Sequence, residues 1–195
     1  MLTCGAYGAG RIRLLARTIY FAAATLDGYI ADADGGIDWL TGFEPNYEGG
    51  GESVTGGIDS FLEGIGALVS GSTTYEFILG HDWPYGDRPS WVLTSRELPV
   101  AEGADIRFHN GPVADIHPEM LAAAGERDLW VVGGGPVASD LADAGLLDEL
   151  WVTVVPIVLR SGKPLFSRPI DHAMRLLGTR TFSSGMIELR YALAK

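Results

Sequence analysis

Three clusters of small, hydroxyl and basic residues follow apolar runs in this chain, and each suits an anionic ligand. The first lies in Asp128–Ala138, DLWVVGGGPVA, where the apolar run ends at Gly133, Gly134 and Gly135, and Pro136, Val137 and Ala138 lead into a helix-like segment over Val137–Ala144. Adjacent residues without a Cβ let backbone N–H groups approach a ligand closely, and a helix start gathers unpaired N–H groups and positive partial charge. A strand, a glycine turn and a helix start together suit a phosphate. The same residues also fit a tight turn that binds nothing.

The second cluster is Gly71, Ser72, Thr73 and Thr74, with Tyr75 and Glu76 after it. Its hydroxyls sit at a helix start, where they either cap the helix or meet a phosphate. The third is Thr94, Ser95 and Arg96 after the run at Trp91. Arg96 fits bidentate phosphate recognition, and it equally fits a solvated surface arginine. All three clusters directly follow apolar strands, and in an open α/β sheet such strand ends share one ligand-binding edge.

Other residues carry weaker signals. Gly133, Gly135 and Ala138 match G-x-G-x-x-A, but the region about 20 residues on, Thr153–Val158, lacks the acid that holds a ribose in a dinucleotide-binding fingerprint. Asp27-Gly28 reads as a turn. Trp39 and Trp83 suit either core packing or stacking on a flat ring. His81, His109, His117 and His172 show no ligand spacing, so no metal is expected. There is no G-x-S-x-G and no P-loop.

The elements that must position these clusters alternate. Strands are expected at Thr18–Thr25, Ala67–Ser70, Trp91–Thr94, Asp105–Phe108, Leu129–Val132 and Leu150–Val158, the last broken near its end by Pro156 at an edge or a bulge. Helical patterns fall at Ile58–Ile65, Ser72–Leu79 and Pro118–Gly125, and Pro136 and Gly145 bracket another. Two closing runs, Arg175–Thr181 and Met186–Leu193, flank a Ser183-Ser184-Gly185 hairpin turn. Asp32–Gly57 is a long loop with about one helical turn, of a length that is often functional. The order implies an α/β domain with a mixed sheet.

Composition limits the partners. The net charge of −11 repels nucleic-acid backbones, so any phosphate site must be local. Cys4 is the only cysteine, which excludes an internal disulfide and fits a reducing cytoplasm. No run reaches transmembrane length. Residues 1–16, with no long apolar segment, are read as a loose N-terminal extension, and residues 17–195 as one domain.

Together these segments resemble the dihydrofolate reductase-like superfamily, and more closely the C-terminal reductase domain of bacterial riboflavin biosynthesis proteins (the RibD C-terminal domain family). The likeness rests on Ala24–Ala31, Ile37–Leu40, Gly71–Glu76, Trp91–Arg96, Leu129–Ala138, Leu147–Pro156 with Gly162–Phe166, and Phe182–Tyr191, in that order. It implies a three-layer α/β/α fold with a mixed, mostly parallel central sheet and an antiparallel C-terminal hairpin. It also implies a cytoplasmic homodimer using NADPH, with NADH as the alternative, and acting on a small molecule. Gly133–Ala138 would then meet the cofactor's phosphates and nicotinamide side. Gly71, Ser72, Thr73 and Thr74 would hold its pyrophosphate, and Thr94, Ser95 and Arg96 its adenosine ribose and 2′-phosphate. Asp27, Trp39 and Gly162 would border the substrate pocket, with Asp27 orienting substrate or relaying a proton. The activity implied is hydride transfer to a pterin-like or riboflavin-precursor-like heterocycle, or to a carbonyl. The alternative is a non-catalytic nucleotide- or flavin-binding protein of the same fold. The family often has Gly-Arg-x-Thr where this chain has Gly71-Ser72-Thr73-Thr74. None of Glu44, Glu48 and Glu52 aligns with the acid of true dihydrofolate reductases.

Overall fold

A computed structural model describes residues 16–41, 43, 58–171 and 173–194. Residues 1–15 of the expected 1–16 extension and the loop acids Glu44, Glu48 and Glu52 lie outside the described residues. Among the described residues, eight strands form one sheet in the order β5-β4-β3-β6-β1-β7-β10-β9. Its centre is β1 (Thr18–Thr25), flanked by β6 (Asp128–Gly133) and β7 (Glu149–Val155). On one side follow β3 (Ile65–Gly71), β4 (Ser90–Leu93) and β5 (Ile106–His109), all parallel to β1. On the other side β10 (Ile187–Ala192) runs antiparallel to β7 and to the edge strand β9 (Arg175–Thr181). A two-stranded sheet pairs β2 (Tyr29–Ala31) with β8 (Lys163–Pro164).

The inner strands carry apolar residues on both faces because helices cover both. Tyr20, Ala24, Ala67, Val69, Leu129, Val131 and Leu150 pack against α4 (Val113–Ala124) and α5 (Gly135–Asp143) through Met120, Ala124, Val137 and Leu141. On the opposite face, Leu68, Trp130 and Phe21 meet Phe61 of α2 (Ile58–Glu63), Ile78 of α3 (Ser72–Leu79) and Tyr85. A single turn of helix, α1 (Asp38–Thr41), follows β2. The result is three layers, helix on sheet on helix.

Two local expectations change. The helix placed at Pro118–Gly125 begins five residues earlier, at Val113, and Pro118 lies inside it. Proline removes one helical N–H, but Ala114 and Pro118 both lie on the exposed face of the helix, where the loss is tolerated. Pro156 marks neither an edge nor a bulge, because β7 lies between β1 and β10 and the proline follows its last residue.

The sheet also contains a bulge. Ile65 faces Asp128 and Ala67 faces Leu129, so two steps of β3 match one of β6. Gly66 sits in that bulge with the end of α4 pressed against it. A Cβ there would lie 2.7 Å from Ala124 Cα and 2.8 Å from its carbonyl carbon.

Candidate functional site

Parallel strands end together, so their following turns form one rim. The register aligns them: His109 pairs with Leu93, Leu93 with Gly71, and Ser70 with Gly133. From one side to the other the rim carries His109, Thr94–Arg96, Gly71–Thr74, Gly133–Ala138, the Asp27-Gly28 turn and the segment after β7. A second irregularity falls between Val69 and Ser70, where β3 skips Val132 beside Gly133. The three clusters separated in sequence therefore lie side by side.

The two glycine turns touch. A Cβ on Gly134 would lie 3.7 Å from Val137 Cγ2, 3.8 Å from the Gly71 nitrogen and 4.0 Å from Thr74 Oγ1. One on Gly133 would be 3.0 Å from Thr74 Oγ1. Gly134 adopts φ +98°, a conformation that L side chains rarely take, and this turns the chain from β6 into α5. Glycines, not hydroxyl residues, occupy both N-caps: Gly71 for α3 and Gly134 for α5, each without a side-chain capping bond. Two helix starts without a side-chain capping bond thus lie against one glycine bend, which fits a phosphate-bearing ligand.

Arg96 is engaged. Its Nη1 and Nη2 donate to Glu76 Oε1 and Oε2 at 2.9 and 2.6 Å, and this bidentate pair raises the guanidinium pKa. The backbone N–H of Arg96 donates to Thr94 Oγ1 at 2.9 Å, which shapes the turn. The Glu76–Arg96 pair joins positions 20 residues apart, a separation that leaves no local spacing signal.

Asp27 is exposed and acts as a clamp. Its carboxylate accepts from Thr25 Oγ1 at 2.6 Å and from the backbone N–H groups of Leu159 and Arg160 at 3.2 and 2.7 Å. The Thr25 hydroxyl, followed by the backbone donors, holds the carboxyl below its ordinary range. The clamp therefore contributes at any pH above the unfolded Asp value of about 3.9 and is lost as pH falls through the lower folded value. Asp27→Ala is expected to speed amide exchange at Leu159 and Arg160 at neutral pH, with the wild type matching it only in acid. Identical exchange at neutral pH would show the clamp to be idle.

Gly162 lies where a Cβ would strike the Ala31 carbonyl, so it sets the close approach between the segment after β7 and β2. Beyond it, residues 163–168 strap across the start of α5. A Cβ on Gly135 would sit 2.6 Å from the Pro164 oxygen. Ser139 Oγ accepts from the Ser167 and Arg168 backbone N–H groups at 3.0 and 3.3 Å, and Tyr20 donates its hydroxyl to the Leu165 carbonyl at 3.1 Å. Burial pushes the Tyr20 phenol up, which keeps it a neutral donor. Trp39 is half-buried on α1, and its indole N–H is shielded from solvent with no acceptor among the described residues. Trp83 packs edge-on to Tyr75 and Tyr85, which places it in the apolar layer and not on a ligand. A separate cavity of about 260 Å³ lies at the opposite edge of the sheet, lined by Arg17, Phe61, Asp128 and Arg190 among others. Among the described residues, no group of three or more His, Cys, Asp or Glu is placed to hold a metal, and no helix is long and apolar enough to cross a membrane.

The RibD C-terminal domain family matches residues 79–187, a span running from the end of α3 through the glycine turn to the final hairpin. The chain belongs to this family. The uncharacterised Bacillus subtilis protein YwjB is 31% identical over 181 residues, covering 91% of this chain and 98% of that one. A Shewanella sp. PV-4 protein named for riboflavin biosynthesis superimposes with a TM-score of 0.73 at 28% identity, covering 92% of this chain and 99% of its own. Dihydrofolate reductase from Enterococcus faecalis, solved with NADP(H), shares the fold at a TM-score of 0.63 and 20% identity, covering 92% and 97%. The chain thus has the dihydrofolate reductase-like architecture that its motif order implies.

Proposed function

We propose that the rim binds a nicotinamide dinucleotide and that the protein is an NAD(P)H-dependent reductase. One observation carries this reading: two glycine-capped helix starts, on neighbouring strands in register, meet within van der Waals distance of a Cβ at Gly134. Gly71, Ser72, Thr73 and Thr74 hold the pyrophosphate. Gly133, Gly134, Gly135, Pro136, Val137 and Ala138 meet the phosphates and the nicotinamide side, and Thr94, Ser95 and Arg96 lie at the adenosine ribose. A bound reduced nicotinamide supplies the hydride, and the protein supplies placement. Asp27 braces the segment that borders the substrate side, and Trp39 and Gly162 complete that border. The acceptor is a small pterin-like or riboflavin-precursor-like heterocycle, or a carbonyl compound.

Fluorescence titration with NADH and NADPH tests the site, with saturable binding expected below about 1 mM. Absence of binding by either nucleotide removes the reading. Loss of reduced-nicotinamide absorbance with panels of pterins, pyrimidine precursors and carbonyls tests turnover. A specific observation favours a second reading, a non-catalytic nucleotide- or flavin-binding protein: the Asp27 carboxylate is held ionised by three donors, which makes it a poor proton donor. Binding without turnover across the panels would select it. The reading extends to a cytoplasmic homodimer with neither nucleic acid nor membrane as partner. The net charge of −11 and the exposed Leu176, Leu177 and Ile187 on the terminal hairpin support that extension.

A further inference from the structure

The proposed nucleotide site carries a charge arrangement that bears on which form of the dinucleotide it takes. The two glycine turns occupy the middle of the rim, where a pyrophosphate meets helix starts. Asp27 and the segment that it holds after β7 lie at β1 and beyond it, so the reacting end of a dinucleotide points that way. The adenosine ribose then falls on the β4 side, where Arg96 and Glu76 stand. Resting on the proposed nucleotide site, we infer that Glu76 and Arg96 form a cofactor selector in which Glu76 holds the site to the unphosphorylated dinucleotide, NADH.

In dinucleotide sites generally, an acid near the adenosine ribose bonds its 2′-hydroxyl, and an arginine accommodates a 2′-phosphate. Both chemistries are present here, locked to one another by two bonds of 2.9 and 2.6 Å. A 2′-phosphate carries about −1.5 to −2 charge. Glu76 already holds two of the five N–H donors of Arg96, and a 2′-phosphate that reaches the others must lie beside the Glu76 carboxylate. A ribose hydroxyl donates to that carboxylate without breaking the pair. No compensating cation is supplied by Gly71-Ser72-Thr73-Thr74. Arg107, on the neighbouring β5, holds Asp105 at 2.9 and 3.0 Å and lies over Trp91.

The test measures the dissociation constants of NADH and NADPH for the wild type, Glu76→Gln, Arg96→Ala and the double variant. The ion pair is exposed on both sides, 53% and 41%, so each protein is expected to fold, with thermal melting as the check. The wild type should bind NADH at least as tightly as NADPH. Glu76→Gln should move the ratio toward NADPH by about tenfold or more, the scale of one charge-assisted hydrogen bond. Arg96→Ala should move it further toward NADH, and the double variant should cancel the Glu76→Gln gain. A ratio that does not change in Glu76→Gln while both nucleotides still bind overturns the selector and leaves the site standing. Failure of both nucleotides to bind any of the proteins overturns the selector together with the proposed site.

Discussion

Replacing Gly134 by valine is expected to abolish dinucleotide binding, with affinity for both NADH and NADPH falling by at least about 100-fold. Two effects combine. The valine methyl groups would extend from a Cβ already 3.8 Å from the Gly71 nitrogen and 4.0 Å from Thr74 Oγ1, filling the gap between the two helix starts. The backbone would also be strained, since φ +98° disfavours a β-branched residue, at a cost of roughly 1–3 kcal/mol. Gly134→Ala separates the two. Its Cβ meets only ordinary contacts, so it isolates the strain and a smaller intrusion. Titration of each variant beside its melting curve decides the matter. Wild-type affinity in a folded Gly134→Val protein would show that nothing binds between these turns.

The largest loss of stability is expected at Gly66, at the far end of β3 from Gly71. There a Cβ would meet the backbone of Ala124, not a side chain that can swing aside. Gly66→Ala must therefore push the end of α4 off the sheet or flatten the bulge against β6. Overpacking of this kind costs about 3 kcal/mol, which in a chain of this size lowers Tm by roughly 6–12 °C. Circular dichroism melts of the two proteins measure it. A Tm within about 2 °C of the wild type would mean that the helix end gives way freely. The variant lies away from the rim, so nucleotide affinity in the protein that remains folded should be unchanged.

Much of this architecture was legible because burial writes itself into composition. The runs TIYFAAAT and DLWVVG read as buried strands, and they are β1 and β6, covered by helices on both faces. The span Ser72–Leu79 and the closing pair around Ser183-Ser184-Gly185 carry local signals, and they form α3 and the β9–β10 hairpin. That the three clusters share a rim followed from strand polarity alone. The misreadings came where tertiary contact overrides a local sign. Pro118 looks like a helix start, yet the helix runs through it because its outer face is wet. The two-residue β8, the strap over α5 and the Glu76–Arg96 pair left no mark in spacing, since each joins positions 20 or more residues apart. For Asp27, sequence located the turn, but two of the three donors on its carboxylate come from 132 and 133 residues downstream.

The position of β1 has a temporal consequence. Among the described residues, the first long strand in chain order is the innermost of the sheet, and both of its neighbours come much later in the chain; the Arg17 backbone finds Asp128 111 residues away. Until β6 and β7 are synthesised, an apolar ribbon with both edges unsatisfied waits in the nascent chain. Folding must close long loops before any central pairing rewards it, which slows the assembly of the sheet's centre.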